Sequence, residues 1–152
     1  MIYFIDEDAT AFGAWLLELE LRGREVDTIA NADAAFQMLC NMPADGERLV
    51  VIDVMLAVAD PFSTQFPSER TDGSLETGLF LLRDLCEQNT QVFPHAAILL
   101  TNTTNDTTRR SAVTMSRNLR VPLWEKSTIY SPVDFADRVD ARLAELSAGR
   151  PG

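Results

Sequence analysis

The chain has 152 residues, of which 46% are hydrophobic and 24% charged, and its formal net charge is −10. This length and composition are typical of one soluble globular domain. No stretch approaches the roughly 18 uninterrupted apolar residues of a membrane helix, and the acidic balance disfavours direct binding to nucleic acid. Acidic residues follow the first apolar run at once, so we expect no signal peptide and a cytoplasmic location.

Short apolar runs alternate with stretches of helical periodicity along the chain. The apolar runs predict five strands, at 2–5, 25–30, 49–52, 96–100 and 121–124. Helical spacing predicts a helix after each strand, at 12–23, at 32–42, at 75–86, up to about Leu119, and at 135–146. Such alternation predicts a doubly wound α/β fold, with a parallel sheet and helices on both faces.

One segment breaks this alternation. Periodicity disappears from Val54 to about Ser74, where Pro61, Pro67 and Gly73 indicate a long loop. A loop of this length inside a compact domain is unusual and is either functional or mobile. We predict a single domain at 1–147 with an inserted loop at about 54–77, followed by a disordered tail at 148–152.

The sequence contains few residues for thiol or imidazole chemistry. Cys40 and Cys86 are the only cysteines, and both lie in apolar helical patterns, which favours two reduced core thiols. His95 is the only histidine, so the sequence excludes a metal site built from several histidines.

Polar side chains follow four of the predicted strands. Asp6 and Glu7 follow the first strand, Asp53 the third, Thr101 the fourth and Lys126 the fifth. Ligands bind beyond the carboxyl ends of such strands, so we expect these groups to converge on one edge. Clustered carboxylates suit Mg²⁺, which prefers oxygen ligands and retains several waters. Asp53 is then the candidate nucleophile for a phosphoryl group whose oxygens the lysine and the hydroxyl bind.

Purely structural roles remain open for the same residues. Asp6, Glu7 and Asp8 could cap the first helix, because acids favour its positive end. Thr101 could cap the helix that follows it, and Lys126 could be an ordinary surface lysine.

Five segments, each at the expected place in the fold, resemble the response-regulator receiver family of two-component signalling. Four of them resemble the signature segments of that family, and the fifth resembles the glycine-led start of its third helix. They are, in chain order, 3–8 (YFIDED), 50–56 (VVIDVML), 78–82 (GLFLL), 98–101 (ILLT) and 123–126 (LWEK).

The resemblance implies a flavodoxin-like sheet in the order 2-1-3-4-5. It also implies that a histidine kinase or a phosphotransfer protein phosphorylates Asp53, with Mg²⁺ (or Mn²⁺) as the cofactor. The implied metal ligands are Glu7, Asp53 and the backbone carbonyl of Met55, with Asp6 assisting through water.

Thr101 and Lys126 are the implied contacts of the phosphoryl group. A stand-alone receiver signals through contact with a downstream protein, and a homodimer is one such contact to test.

Several positions depart from the family pattern. They are Glu7 in place of a second Asp, Ala57 and Ser127 in place of prolines, Asn102 in place of a small residue, and Leu123 in place of a switching aromatic. Coupling through Leu123 should be weak, and Trp124 faces the other way in a strand. We therefore expect the 54–77 loop, through Arg70 or nearby backbone amides, to carry the change of state.

These departures also fit a second function: a receiver-like binding module that works without phosphorylation.

A third reading is a small haloacid-dehalogenase-type phosphatase, since residues 6–10 (DEDAT) resemble the nucleophile motif of that family. Asp6 would then be the nucleophile and Asp8 the acid. Helical periodicity starts too soon after Asp8 to leave room for the hairpin flap of those enzymes, and no acidic pair ends a strand after Lys126.

Overall fold

The sheet has five parallel strands. The structure is a computed structural model that describes residues 1–7, 9–44, 46–56, 76–102 and 105–149. The strands are β1 (Ile2–Ile5), β2 (Val26–Ile29), β3 (Leu49–Asp53), β4 (Ala97–Thr101) and β5 (Leu123–Glu125). They pair in the order β2-β1-β3-β4-β5. The predicted fold class and the strand order 2-1-3-4-5 are thereby confirmed.

Five α-helices connect and flank the strands. They are α1 (Gly13–Leu21), α2 (Ala32–Leu39), α3 (Thr77–Gln88), α4 (Asp106–Leu119) and α5 (Pro132–Ala148), with short 3-10 turns at Ala9–Phe12 and Lys126–Thr128. Three helices begin at a side-chain cap: Asn31, Asn105 and Ser131 each accept a hydrogen bond from the backbone N–H three residues further on. Such caps satisfy amide groups that have no partner inside the helix.

The strands divide their side chains between two apolar layers. In β3, Val50 and Ile52 pack with α2, α3 and α4, whereas Leu49 and Val51 pack with α1 and α5. This follows from the two-residue repeat of a strand, because each strand is covered on both faces. Leu123 and Trp124 also fall in opposite layers.

Several predicted boundaries move by a few residues. Asp53 and Thr101 are the last residues of β3 and β4 instead of the first residues after them. The fifth strand starts at Leu123 instead of 121, because the Val121 N–H donates to the carbonyl of Ser116 and so closes α4. The second helix ends at Leu39 instead of Met42. Pro43 disfavours a helical conformation at Met42, the residue before it.

Parts of the predicted domain plan lie outside the described residues. Residues 57–75 of the predicted loop, with Ala57 and Arg70, are among them, and so are 150–152 of the predicted tail. Within the described part, α5 continues to Ala148. None of the described helices has the length and apolar character that crossing a membrane requires.

Both cysteines carry free thiols, but they are partly buried at the edge of the core instead of inside it as predicted. Burial raises the pKa of the Cys86 thiol to about 11, and the charge of neighbouring Glu87 adds to this effect. At neutral pH the Cys86 thiol is therefore protonated and a poor nucleophile.

Candidate functional site

Three of the predicted site residues meet at the carboxyl edge of the sheet. The Lys126 ammonium lies 3.2 Å from Oδ2 of Asp6 and 3.7 Å from Oδ2 of Asp53. Both aspartates are buried: Asp6 is 2% exposed and Asp53 is 8% exposed. The structure therefore joins one cation to two buried anions.

The sheet order explains how residues so far apart in sequence come together. In β1 and β3, which are neighbours, Ile5 pairs with Ile52, so Asp6 and Asp53 lie level with one another. The fifth strand is separated from β3 by β4. Neighbouring strands are about 4.8 Å apart, so only a long side chain such as Lys126 can reach across β4 to both acids.

An aromatic ring covers the ammonium on another side. Nζ of Lys126 lies 4.4 Å from the centre of the Phe12 ring. That ring in turn contacts Phe4 and Trp15, at 5.5 and 5.0 Å between ring centres. A cation over an aromatic face is attracted by the ring quadrupole. The sequence assigned Phe12 only to the face of a helix, so this role was missed.

Asp53 is electrostatically unusual. Its pKa is raised from the ordinary 3.8 to about 6. Burial is the largest cause and the charge of Asp6 adds to it, while Lys126 and the backbone N–H of Met55 oppose it. The Met55 N–H donates to Oδ1 of Asp53 at 3.2 Å. The carboxylate is thus held by specific partners yet pays a large desolvation cost when it ionises.

The other predicted site residues lie outside the ion pairs of Asp6, Asp53 and Lys126. Thr101 is buried at the end of β4, level with Glu125 of β5. Glu7 is exposed, and within the described part of the chain it has no ion pair or hydrogen bond. Asp8, the acid of the phosphatase alternative, lies outside the described residues. The helical turn at Ala9–Phe12 leaves no hairpin in 9–24, which counts against that alternative.

Gly78 brings α3 against the backbone of the candidate nucleophile. A Cβ at this position would stand 2.0 Å from the carbonyl oxygen of Asp53. The Gly78 N–H donates to the carbonyl of Val54 at 2.9 Å. Only a residue without a side chain permits this approach, which accounts for the glycine at the start of the third helix.

A second ion pair borders the site and was not predicted. Nε of Arg109, on α4, lies 3.1 Å from Oε1 of Glu125, the residue before Lys126. The pair ties the first part of α4 to the end of β5. No sequence signal singled it out, because charged residues on helix surfaces are common.

Two buried carboxylates, those of Asp6 and Asp53, are available to a metal ion at this site. Across the described residues, no three side chains of Asp, Glu, His or Cys are grouped closely enough to hold a metal. Mg²⁺ does not need such a cage, because it keeps several waters and is often held by one or two carboxylates. Asp6 and Asp53 therefore fit a hydrated magnesium ion, and they do not fit a structural zinc site.

Comparison with known proteins gives a consistent picture of the fold. No family model and no curated protein matches the chain. A CheY-like response regulator receiver domain protein from Methanospirillum hungatei matches with a TM-score of 0.68 and 18% identity, over 98% of this chain and 97% of its own. The receiver domain of NtrX from Brucella abortus matches with a TM-score of 0.63 and 19% identity, over 95% and 98%.

A third solved structure is the beryllofluoride-activated NtrC4 receiver domain dimer. It matches with a TM-score of 0.61 and 17% identity, over 95% of this chain and 97% of its own. At these identities the likeness concerns the fold, which is that of receiver domains over almost the whole chain.

Proposed function

We propose that this chain, with its receiver-domain fold, is a response-regulator receiver that accepts a phosphoryl group on Asp53. The observation that carries the proposal is the triad of Asp6, Asp53 and Lys126, in which one ammonium lies within 3.7 Å of both buried carboxylates. An ordinary surface lysine or a helix-capping acid does not require this arrangement.

The chemistry assigned to Asp53 is nucleophilic attack on phosphorus. One carboxylate oxygen forms the new P–O bond, the bond from phosphorus to the donor's leaving atom breaks, and that atom keeps the electron pair and takes up a proton. Asp53 must be ionised to attack, and with a pKa of about 6 it is mostly ionised at neutral pH.

Lys126 has the charge and position to bind the incoming phosphoryl oxygens. Its side chain is 15% exposed, so its interactions are screened less than those of a surface lysine. It also neutralises part of the charge of Asp6 and Asp53 before reaction. We assign Thr101, at the end of β4, to a further phosphoryl oxygen.

Magnesium is the cofactor we assign, with Mn²⁺ as a substitute. Glu7, Asp53 and the backbone carbonyl of Met55 are the proposed ligands, with Asp6 assisting through water. When bound, a divalent cation supplies charge neutralisation for the phosphoryl oxygens. Two buried carboxylates with one lysine leave negative charge that a divalent cation can neutralise, which supports this assignment.

The proposed partners follow from the same function. A histidine kinase or a phosphotransfer protein donates the phosphoryl group, and a downstream protein reads the result. The NtrC4 receiver domain structure is a beryllofluoride-activated dimer. By likeness, we propose homodimer formation after phosphorylation as the first output to examine.

Phosphorylation with acetyl phosphate and Mg²⁺ tests the proposal directly. Intact mass should show one added phosphoryl group, and borohydride reduction followed by peptide sequencing should place it at Asp53. Asp53→Asn should remain unlabelled, while Lys126→Met should be labelled slowly. Label on Asp6 would instead support the phosphatase alternative.

Absence of any label on the folded chain would favour the phosphorylation-independent binding module. Asn102 and Leu123 motivate that alternative: Asn102 is exposed directly after Thr101, and Leu123 packs in the layer of α2, α3 and α4. Neither residue removes a charged member of the triad, so the phosphoacceptor remains the function that the geometry supports best.

A further inference from the structure

A groove of 560 Å³ runs between α3 and α4, away from the triad. Its floor is apolar and consists of Leu79 and Phe80 from α3 with Met115 and Leu119 from α4. Pockets for small molecules typically measure roughly 300 to 1,000 Å³ and combine an apolar lining with a few polar groups. The groove has this size and this composition.

The charged groups of the groove are mostly cationic, although the chain as a whole has a net charge of −10. The ionisable residues that line it are Arg83, Arg110 and Glu76. The Arg83 guanidinium lies 4.6 Å from the centre of the Phe80 ring, and its Nε lies 3.9 Å from Oδ1 of Asp84. Arg110 is exposed, and no carboxylate among the described residues pairs with it.

We propose that this groove binds a small organic anion with an apolar body, such as an aromatic or medium-chain carboxylate. The apolar body lies on Phe80, Met115 and Leu119, and the anionic group is bound by Arg83 and Arg110. Guanidinium groups form strong, charge-assisted hydrogen bonds with carboxylates and sulfonates. The hydroxyl of Ser111, also on the wall, can donate a further hydrogen bond.

The size of the floor argues for a small ligand instead of a docked helix. A helix in a groove is held by apolar anchors repeated over several turns. Here the apolar floor is limited to four side chains, bounded by polar residues on α4 such as Thr114 and Asn118. The proposal is independent of phosphorylation at Asp53, because none of the triad residues lines the groove.

The dye 8-anilinonaphthalene-1-sulfonate is a suitable first probe, because it joins two apolar rings to one anionic group. Its fluorescence, titrated with the folded full chain, should rise and saturate as for one site. Decanoate below its micelle concentration should displace the dye. Decyltrimethylammonium, which has the same chain length and the opposite charge, should not.

Variants locate the site. Arg83→Gln and Arg110→Gln should each weaken dye binding roughly threefold to tenfold, the loss of one charge-assisted contact at a partly exposed site. Ser111→Phe should abolish binding by filling the groove. Arg117→Gln is the matched control, since it removes one arginine from the same helix outside the groove. Circular dichroism melts establish that each variant is folded.

Three results would overturn the proposal. They are absence of saturable dye binding, equal displacement by the anionic and cationic amphiphiles, or dye affinity that is unchanged in both Arg83→Gln and Arg110→Gln. If Arg117→Gln weakened binding as much as Arg110→Gln did, general surface charge would explain the effect and the assigned site would be wrong.

Discussion

The ammonium of Lys126 lies against the face of the Phe12 ring, 4.4 Å from its centre. The ring limits the positions that the lysine side chain can adopt. Phe12 therefore helps to hold Lys126 where it faces both carboxylates, although it has no chemistry of its own.

We predict that Phe12→Leu lowers the rate of Asp53 phosphorylation by acetyl phosphate roughly fivefold, about 1 kcal/mol, which is the scale of a cation–π contact. Phe12→Tyr, which keeps an aromatic face, should retain the wild-type rate. Rates are measured at a temperature where both variants are folded. Equal rates in Phe12→Leu and wild type would show that the ring does not position the lysine.

The raised pKa of Asp53 predicts a pH-dependent stability. The folded-state pKa is about 6, above the ordinary value of 3.8. Between these values Asp53 binds more protons in the folded chain than in the unfolded chain, so its contribution to the free energy of unfolding should fall as pH rises from 4 to 6. At pH 7 Asp53→Asn should be more stable than wild type, on the order of 2 kcal/mol.

Urea unfolding of both proteins from pH 4 to pH 8 measures this difference. The wild-type and Asp53→Asn curves should converge near pH 4, separate between pH 4 and pH 6, and keep a constant difference at higher pH. Parallel curves across the whole range would contradict the raised pKa.

Magnesium should recover part of the stability that the ionisation of buried Asp53 costs at pH 7. If Asp53 is a ligand, Mg²⁺ at pH 7 raises the melting temperature of the wild type, because a ligand stabilises the state that binds it. The increase should be lost in Asp53→Asn and reduced in Glu7→Gln. Glu20→Gln, which removes an exposed carboxylate from α1, is the control and should behave as wild type. A full Mg²⁺ response in Asp53→Asn would exclude the assigned metal site.

Gly78 should tolerate no side chain. Gly78→Ala would place a methyl group 2.0 Å from the Asp53 carbonyl oxygen, and we expect a loss of about 3 kcal/mol in the free energy of unfolding, the upper part of the range for overpacking. Gly13→Ala is the matched control, because Gly13 is also helical and has no atom within 4 Å of its Cβ position. It should be neutral or slightly stabilising. Chemical unfolding of the two variants compares them directly.

The sheet and the site edge could be predicted because each strand leaves a separate signal. Apolar runs followed by Asp6, Asp53, Thr101 and Lys126 place those groups at strand ends, and a parallel sheet brings such ends to one edge. The sequence could also anticipate that Leu123 and Trp124 face opposite layers, since that follows from the repeat of a strand.

Other features had no local signal. The contact of Phe12 with Lys126 depends on how α1 packs on the sheet, and the Arg109–Glu125 pair depends on the spacing of α4 and β5. Val121 is apolar and β-branched, which predicts the start of a strand, but its N–H donates a hydrogen bond to the carbonyl of Ser116. Hydrogen bonds that close the end of a helix decide such boundaries, and strand propensity does not record them.

The hydrogen bond between the Gly78 N–H and the Val54 carbonyl has a practical consequence for protein engineering. It brings the two ends of the intervening chain together beside the Asp53 backbone, with 2.9 Å between the Gly78 nitrogen and the Val54 carbonyl oxygen. The entropic cost of closing a flexible loop grows only slowly with its length, by about 0.6 kcal/mol per doubling. A fluorescent reporter inserted between Val54 and Gly78 is thus tethered at both ends next to the candidate phosphoacceptor, and α3 keeps its anchor to β3.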